Sequence, residues 1–335
     1  MSSRVGRTVA VAASACAVWL VSASRITADH PEQFSAWSEP TNLGPIVDSA
    51  SAEFFAFISK NGLSLYFTSQ RPGGFGGHDI WVSQRSSITD PWSPPQNLGP
   101  TINTAGNEFG PCLSPDGHVM YFASDRPGGF GGNDIYFSRR HNKRDDFGWQ
   151  LPDNLGNVVN TAANESSPQI FEDDESGLIA LYFDSNRPGG PGPFTDDPPP
   201  TGVHNGNDLY ASSFQPDEAF GAATLVAELS SPFVDRQPTI RRDGLEIVFA
   251  SNRPGSLGGT LDLWVSARLS TSDPWSTPAN LGPTVNVASA PPFSGADGGP
   301  ALSFDGTTLY FQSSRPGNFG GALFDLYMST RMKLK

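Results

Sequence analysis

The sequence predicts an all-β protein: a five-bladed β-propeller of four-stranded antiparallel blades, with the ring closed by pairing of the N- and C-terminal strands. Three observations carry this expectation. First, a phrase reading Ser-x-Arg-Pro-Gly, then a glycine-rich stretch, then Asp-(Ile/Leu)-(Tyr/Trp) recurs five times. Its arginines are Arg71, Arg126, Arg187, Arg253 and Arg315, a period of roughly 60 residues, as expected when each unit needs its neighbours to bury its apolar face. Second, the apolar runs are short and bounded by Gly, Pro, Asn or Asp, and no long segment has the period of an amphipathic helix. Third, the repeat is out of phase with the chain. It opens on an outer-strand phrase, Trp37-Ser-Glu-Pro-Thr-Asn-Leu-Gly44, and ends on a third-strand phrase, Asp325-Leu-Tyr-Met-Ser329, so the first phrase can complete the last blade.

The second copy shows how each element is read. Residues 111–114, 119–124 and 134–138 are rich in aromatic and aliphatic side chains and are expected as the first three strands. Asp116-Gly117 between the first two is a tight-hairpin signal, because such turns need residues tolerant of positive φ. Asn61-Gly62, Asp243-Gly244 and Asp305-Gly306 hold the same place, while Glu175-Ser176-Gly177 predicts a longer turn in the third copy. The Arg-Pro-Gly-Gly stretch joins the second strand to the third. The segment from Trp92 to Gly99 supplies a fourth, outer strand, where its prolines are tolerable at a sheet edge. In the fourth copy this outer phrase has diverged, with residues 220–229 in its place.

Ser114-Pro-Asp-Gly117, Tyr121-Phe-Ala-Ser124 and Asp134-Ile-Tyr136 resemble the WD40-like propeller repeat of TolB-type proteins. The resemblance covers residues 37–331 and recurs in every copy. It implies a propeller of the periplasm or cell surface that binds other proteins; such repeats also occur as domains attached to peptidases or peptidoglycan-binding modules. TolB itself looks like a six-bladed propeller with an additional α/β domain, whereas five copies are present here.

The N-terminus reads differently from the repeats. Arg4 and Arg7 precede an apolar run over residues 9–21, and Val21-Ser22-Ala23 offers small residues for cleavage. The expected organisation is a signal peptide over 1–23, a linker over 24–36 and a single propeller domain over 37–331. This predicts a periplasmic or secreted protein with no transmembrane segment after signal removal. Cys16 raises the alternative of a lipid anchor, but Ala13 stands where a large aliphatic residue usually precedes a lipidated cysteine. Removing the signal leaves Cys112 alone, which excludes an intramolecular disulfide; within an inner strand it reads as a small buried hydrophobe. The formal net charge of −13 argues against nucleic acid as a partner.

The sharpest chemical pattern is a carboxylate three residues before the predicted first strand of each copy: Glu53, Glu108, Glu165, Asp235 and Asp297. Inner strands line a propeller's channel, so these predict an acidic ring at one channel mouth. Each copy also carries an Arg and a later Asp: Arg71 and Asp79, Arg126 and Asp134, Arg187 and Asp208, Arg253 and Asp262, Arg315 and Asp325. An arginine held by carboxylates on both sides would pin the glycine-rich loop, so these sets are expected as scaffold. No cofactor is predicted; crowded carboxylates leave a divalent cation as an option whose ligands the sequence does not define.

Asymmetry marks other candidates. The third copy carries an insertion over residues 191–206, whose Phe194, Asp196, Asp197 and His204 are candidate specificity residues, and the fifth carries one over residues 287–299. His30, His78, His118, His141 and His204 fall at non-equivalent places without metal-ligand spacing, and no nucleophile elbow is present. The expectation is therefore a non-enzymatic binding or scaffold protein of the cell envelope. It would contact a protein or polysaccharide partner through rim loops and the acidic mouth. The alternative is a carbohydrate-active hydrolase, or a lectin-like glycan binder, working in the central funnel. Hydrolysis needs two carboxyl groups in different protonation states, which identical blade environments would not supply, and most aromatics sit in the repeated core phrases, leaving no evident sugar platform.

Overall fold

A computed structural model describes residues 33–173, 176–191, 206–215, 219–257, 260–288 and 295–334. The chain divides into two units, Met1–Pro31 and Glu32–Lys335, and the propeller is the second. Its inner strands, in blade order 1 to 5, are Glu53–Ile58, Glu108–Leu113, Glu165–Glu172, Asp235–Ile240 and Asp297–Leu302. The second strands are Ser64–Ser69, Val119–Ser124, Ile179–Ser185, Glu246–Ser251 and Thr308–Ser313. The third strands are Asp79–Gln84, Asp134–Arg139, Asp208–Ser213, Asp262–Ala267 and Asp325–Thr330. Blades 1 to 4 end on two-residue outer strands, Gln96–Asn97, Asp153–Asn154, Thr224–Leu225 and Ala279–Asn280. Blade 5 takes its outer strand from the start of the chain: Thr41 pairs with Met328 and Asn42 with Tyr327. Among the described residues the only helical segment is a 3-10 turn at Phe319–Gly321.

Second strands read as nearly continuous apolar runs because both faces of each blade are covered. Leu65, Tyr66 and Phe67 are all fully buried, although successive residues of a strand point to opposite faces. The buried apolar residues fall into five clusters, each spanning one junction between neighbouring blades. Val47, Leu65, Phe67, Ala301, Tyr310 and Leu326 form the junction between blades 5 and 1, so closure is packed like the other junctions. The core is thus a ring of five inter-blade layers around a channel lined by inner strands.

Two local expectations are corrected. The inner strands begin at the carboxylate itself, not three residues after it. In every blade the ladder to the second strand is interrupted by a bulge, between Phe54 and Phe57, Phe109 and Cys112, Ser166 and Gln169, Arg236 and Thr239, and Gly298 and Ala301. The residue two after each carboxylate has positive φ: Phe55 (51°), Gly110 (57°), Ser167 (53°), Gln237 (58°) and Gly299 (53°). The proline or alanine after it resumes the strand, which is why only the second half matched a strand pattern. The outer strands are also shorter than the repeated Trp-to-Gly phrase. Only the Asn and its predecessor pair, and the following Gly turns the chain away at positive φ.

Candidate functional site

The repeated charges are buried behind the channel wall and do not form an open ring at its mouth. Glu53, Glu108, Glu165, Asp235 and Asp297 are fully buried, and each accepts an ion pair from the arginine of its own blade. Arg126 is representative. Its Nη2 donates to Glu108 Oε1 at 3.2 Å and to the Ile102 carbonyl at 2.7 Å, and its Nε donates to Ser124 Oγ at 3.0 Å. The guanidinium stacks on Phe122 and Tyr136, 5.1 and 4.9 Å from their centroids. Arg71, Arg187, Arg253 and Arg315 stack in the same way on the equivalent aromatic pairs, which explains the aromatic residues in the second- and third-strand phrases.

The later aspartates do different work from that expected. They open the third strands and hold the glycine-rich loops through backbone amides instead of sharing the arginine. Phe75, Phe130, Leu257 and Phe319 donate their N–H groups to Asp79, Asp134, Asp262 and Asp325, and the outer-strand Asn42, Asn154 and Asn280 donate to Asp325, Asp134 and Asp262. Asp208 occupies the same register in blade 3. Cys112 is buried, and burial pushes its thiol up to about 12, so it carries no nucleophile.

A further buried set joins each outer phrase to the preceding third strand. Asn103 accepts the Ile80 N–H at 2.8 Å and donates to the Ile80 carbonyl at 3.0 Å; Asn160 and Asn286 do the same for Ile135 and Leu263. At the seam the equivalent residue is Asp48, which accepts the Leu326 N–H at 2.9 Å. Burial, with the Asp325 and Glu53 carboxylates nearby, pushes Asp48 up to about 8. Asp48, Glu53 and Asp325 bring ligand atoms within 4.8 Å of one another, the one such cluster among the described residues that could hold a cation.

Function requires residues that differ between blades, and these converge at the channel mouth formed by the starts of the inner strands. One ring is the residue after each carboxylate: Phe54, Phe109, Ser166, Arg236 and Gly298. A second is the residue before each third-strand aspartate: His78, Asn133, Asn207, Leu261 and Phe324. Inside them lies a position on the second strand, paired with the first ring, that reads Thr68, Ala123, Asp184, Ala250 and Gln312. The two rings, with Asp184 and Gln312 from the second-strand position, line a cavity of about 440 Å3.

The mouth has two unlike halves. On one side runs a chain of aromatic contacts: Phe324 to Phe54 (5.4 Å), Phe54 to His78 (5.7 Å), His78 to Phe109 (5.1 Å), with Phe55 6.3 Å from both Phe54 and Phe109. A contiguous aromatic surface, which the repeated phrases did not suggest, is therefore present at this mouth. Its residues adjoin the repeated phrases and were counted with them, although His78 and Phe324 differ from blade to blade. On the other side stand the amides of Asn133, Asn164, Asn186 and Asn207, the Arg236 guanidinium and the Asp184 carboxylate. Asp184 accepts the Gln237 N–H at 3.0 Å and the Asn207 side-chain amide. Gln237 in turn accepts the Gly299 N–H at 2.8 Å, and Phe55 donates its N–H to Gln312 at 3.0 Å, so bulge and second-strand side chains lock neighbouring blades.

Of the repeated carboxylates, Asp297 alone lines this cavity, and burial pushes it up to about 6; burial also raises Asp235. The blade environments are thus not identical. Phe194, Asp196, Asp197 and His204 lie outside the described residues, as do residues 289–294 of the fifth-blade insertion. Asn186 and Asn207, which flank the former, belong to the mouth.

No family model matches the chain, and no curated protein matches it in sequence. Solved structures do. An α-L-arabinofuranosidase from Podospora anserina in complex with cellotriose is 13% identical, with a TM-score of 0.53 over 89% of this chain and 98% of that one. The catalytic domain of a Coprinopsis cinerea α-L-arabinofuranosidase is 12% identical, with a TM-score of 0.54 over 88% of this chain and 98% of that one. An α-L-arabinofuranosidase from Lactobacillus brevis is 13% identical, with a TM-score of 0.54 over 87% and 93% of the two chains. TolB from Acinetobacter baumannii reaches a TM-score of only 0.46 at 14% identity over 86% of this chain and 56% of that one, which carries no argument. At these identities the likeness shows the fold alone, but its weight corrects the expectation of a non-enzymatic scaffold. Several structures that share this five-bladed fold are glycoside hydrolases, so the fold gives no support to the non-enzymatic expectation.

Proposed function

We propose that the chain is a carbohydrate-active propeller that takes a chain end or side branch of a neutral glycan into the 440 Å3 mouth. There Asp184 would act in acid–base cleavage of the glycosidic bond. The observation that carries the reading is the division of this mouth into an aromatic half, Phe54, Phe55, His78, Phe109 and Phe324, and a polar half of amides around Asp184. Sugars present C–H faces that stack on rings and hydroxyls that need paired donors and acceptors, so one wall serves each surface. The volume falls within the ~300–1,000 Å3 of small-ligand sites, enough for one or two sugar units.

Glycoside hydrolysis calls for two carboxyl groups, one giving a proton and one taking or directing it. Asp297 is the second carboxyl among the lining residues; it is paired with Arg315 at 3.1 Å, and burial pushes it up to about 6. The structural neighbours include α-L-arabinofuranosidases and a hydrolase in complex with xylotriose, which makes arabinofuranosides and xylan-derived oligosaccharides the first probes. The N-terminal signal pattern supports action outside the cytoplasm, where such polymers are met.

The test is release of reducing sugar from arabinoxylan and of p-nitrophenol from aryl arabinofuranosides and xylopyranosides. Asp184→Asn is expected to lower kcat by about 10²–10⁴-fold with KM changed little, and to lower the melting temperature by only a few degrees, because its remaining oxygen can still accept the Gln237 N–H and Asn207 can turn its amide. Glycan binding without turnover would reduce the mouth to a lectin-like site. Neither binding nor turnover of any neutral glycan would overturn the reading.

A further inference from the structure

Most arginines of this chain are held in place. The repeated arginine of each blade pairs with its carboxylate, and Arg140, Arg241 and Arg331 pair with acids elsewhere. Arg85, Arg139 and Arg268 lie on aromatic rings. Arg236 differs from all of these. It lines the 440 Å3 mouth, partly buried, and among the described residues its guanidinium has no hydrogen bond, ion pair or ring contact.

The surroundings explain why it stands alone. Its cross-strand partner is Ala250, which offers no acceptor, whereas the same place holds Asp184 in blade 3 and Gln312 in blade 5. Its neighbours around the first ring are Ser166 and Gly298, the two smallest members, so space is left on both sides. Gly298 has to stay small, since a Cβ there would come within 2.7 Å of Gln237 Oε1, the acceptor that holds the blade 5 bulge. In a ring of five, blade 4 lies opposite the junction of blades 1 and 2. Arg236 therefore stands across the cavity from Phe54, His78 and Phe109.

The charges of the mouth match a neutral ligand. Asp184 accepts from two neutral amides, and Asp297 is cancelled by Arg315 at 3.1 Å. With histidine counted as neutral, Arg236 and Asp184 are then the uncancelled charges of the lining, and they sum to zero. Asp125, bonded to Asn107 beside His78, adds negative charge at the edge. An anionic sugar would meet as much repulsion as attraction here. A guanidinium also offers parallel N–H donors in a fixed fork that suits two neighbouring oxygens of one ligand. Hydroxyls on adjacent carbons of a sugar present such a pair, while its C–H face rests on the aromatic wall opposite.

We infer that Arg236 determines specificity in this mouth by forking onto two adjacent free hydroxyls of the terminal sugar. The substrate class is then narrowed to glycan ends that are neutral and unsubstituted, and sugars acylated at those hydroxyls are rejected. An acyl group would weaken the oxygen as an acceptor, leave the guanidinium unpaired and fill the space beside Ser166 and Gly298. This inference rests on the carbohydrate-active reading of the same mouth.

The test is calorimetric titration of the purified full chain with aryl 1-thio-α-L-arabinofuranoside and 1-thio-β-D-xylopyranoside, which resist cleavage. Their O-acetylated forms and the aryl 1-thio-β-D-glucuronide serve as comparisons. Wild type is expected to bind a neutral, unsubstituted thioglycoside. Arg236→Ala should weaken that binding about 10–100-fold at unchanged melting temperature, because the side chain has no partner within the protein. Arg236→Lys should recover only part of the loss, since an ammonium lacks the fork. Acetylation should weaken binding to wild type by a similar factor and cost Arg236→Ala little more, the coupling expected of groups in contact. Equal affinity of Arg236→Ala and wild type, or the same acetylation penalty in both, would overturn the inference while leaving the carbohydrate-active reading intact. So would tighter binding of the glucuronide than of the xyloside, which would make Arg236 a carboxylate partner, or a fall of several degrees in the melting temperature of Arg236→Ala, which would make it scaffold. Wild type that binds none of these sugars would overturn both.

Discussion

The arginine of each repeat is the most heavily engaged side chain in its blade. Arg126 satisfies a fully buried carboxylate, a strand hydroxyl and a loop carbonyl while filling the gap between Phe122 and Tyr136. A buried ion pair adds little relative to a hydrophobic replacement of both partners, but removing one partner strands the other. Arg126→Ala should therefore cost ~3–5 kcal/mol and lower the melting temperature by on the order of 10 °C. Arg126→Lys should recover only part of this, since an ammonium cannot reproduce the planar fork or the stacking. A melting temperature unmoved by Arg126→Ala would refute the structural role. At the other extreme are Phe55, Ser167 and Gln237, non-glycine residues held at positive φ where blades 2 and 5 use Gly110 and Gly299. Such a conformation costs of order 1 kcal/mol or more, and Phe55 and Ser167 line the proposed glycan site, which is where strain of this kind is found.

Elements repeat, and the seam shows what happens when one copy departs. Asn103, Asn160 and Asn286 each offer an acceptor and a donor to the strand they hold. Asp48 can match them only when protonated, and as a carboxylate its Oδ2 is buried without a partner. Arg71 opposes the neutral form, while burial, Asp325 and Glu53 favour it and set the value at about 8. The folded chain then holds a proton that the unfolded chain has lost above about 4. Stability from this group therefore falls as pH rises from about 4 to about 8, and the full penalty applies above that window. Asp48→Asn is expected to raise the melting temperature at pH 8 by several degrees and to lose that advantage towards pH 4. A difference from wild type that does not change with pH would refute a titrating seam. Strand identity and blade count were legible in the repeated phrases because those phrases encode what every blade shares. The glycan mouth was not, because its residues stand beside the shared ones: Phe54 and Arg236 follow a repeated carboxylate, and His78 and Phe324 precede a repeated aspartate. Asp184 was hidden further still, since Thr68, Ala123, Ala250 and Gln312 at its position have no common chemistry. A difference map across aligned repeats would have found them, whereas a search for shared motifs could not.

At the scale of the molecule, stability depends on a ring whose last blade is completed by the first strand. Thr41–Asn42 is only two residues long, but it is reinforced on both sides. Ser38 donates its N–H to the Thr330 carbonyl at 2.8 Å, Leu43 donates to Leu326 at 2.9 Å, and Phe34 bridges to Lys333. Arg331 stacks on Phe34 and Trp37 and pairs with Glu246 at 2.7 Å, tying the closing segment to blade 4 as well. Deleting residues up to Gly44 should lower the melting temperature by at least 10 °C and produce higher-order species in size-exclusion chromatography, because the edge of Asp325–Thr330 is left open to other chains. A monomer of unchanged stability would show that closure is dispensable. The same clasp sets the order of events in biosynthesis. Asn42 and Asp325 bond across 283 residues, so the earliest-made piece of the propeller must wait for the last. Four junctions can pack on a growing chain, but the fifth cannot form until translation has reached the final strand, a long-range step of the kind that slows folding. Any polypeptide released too early keeps a bare strand edge. Proteases and chaperones that survey such edges would therefore sort finished molecules from unfinished ones by whether the circle had shut.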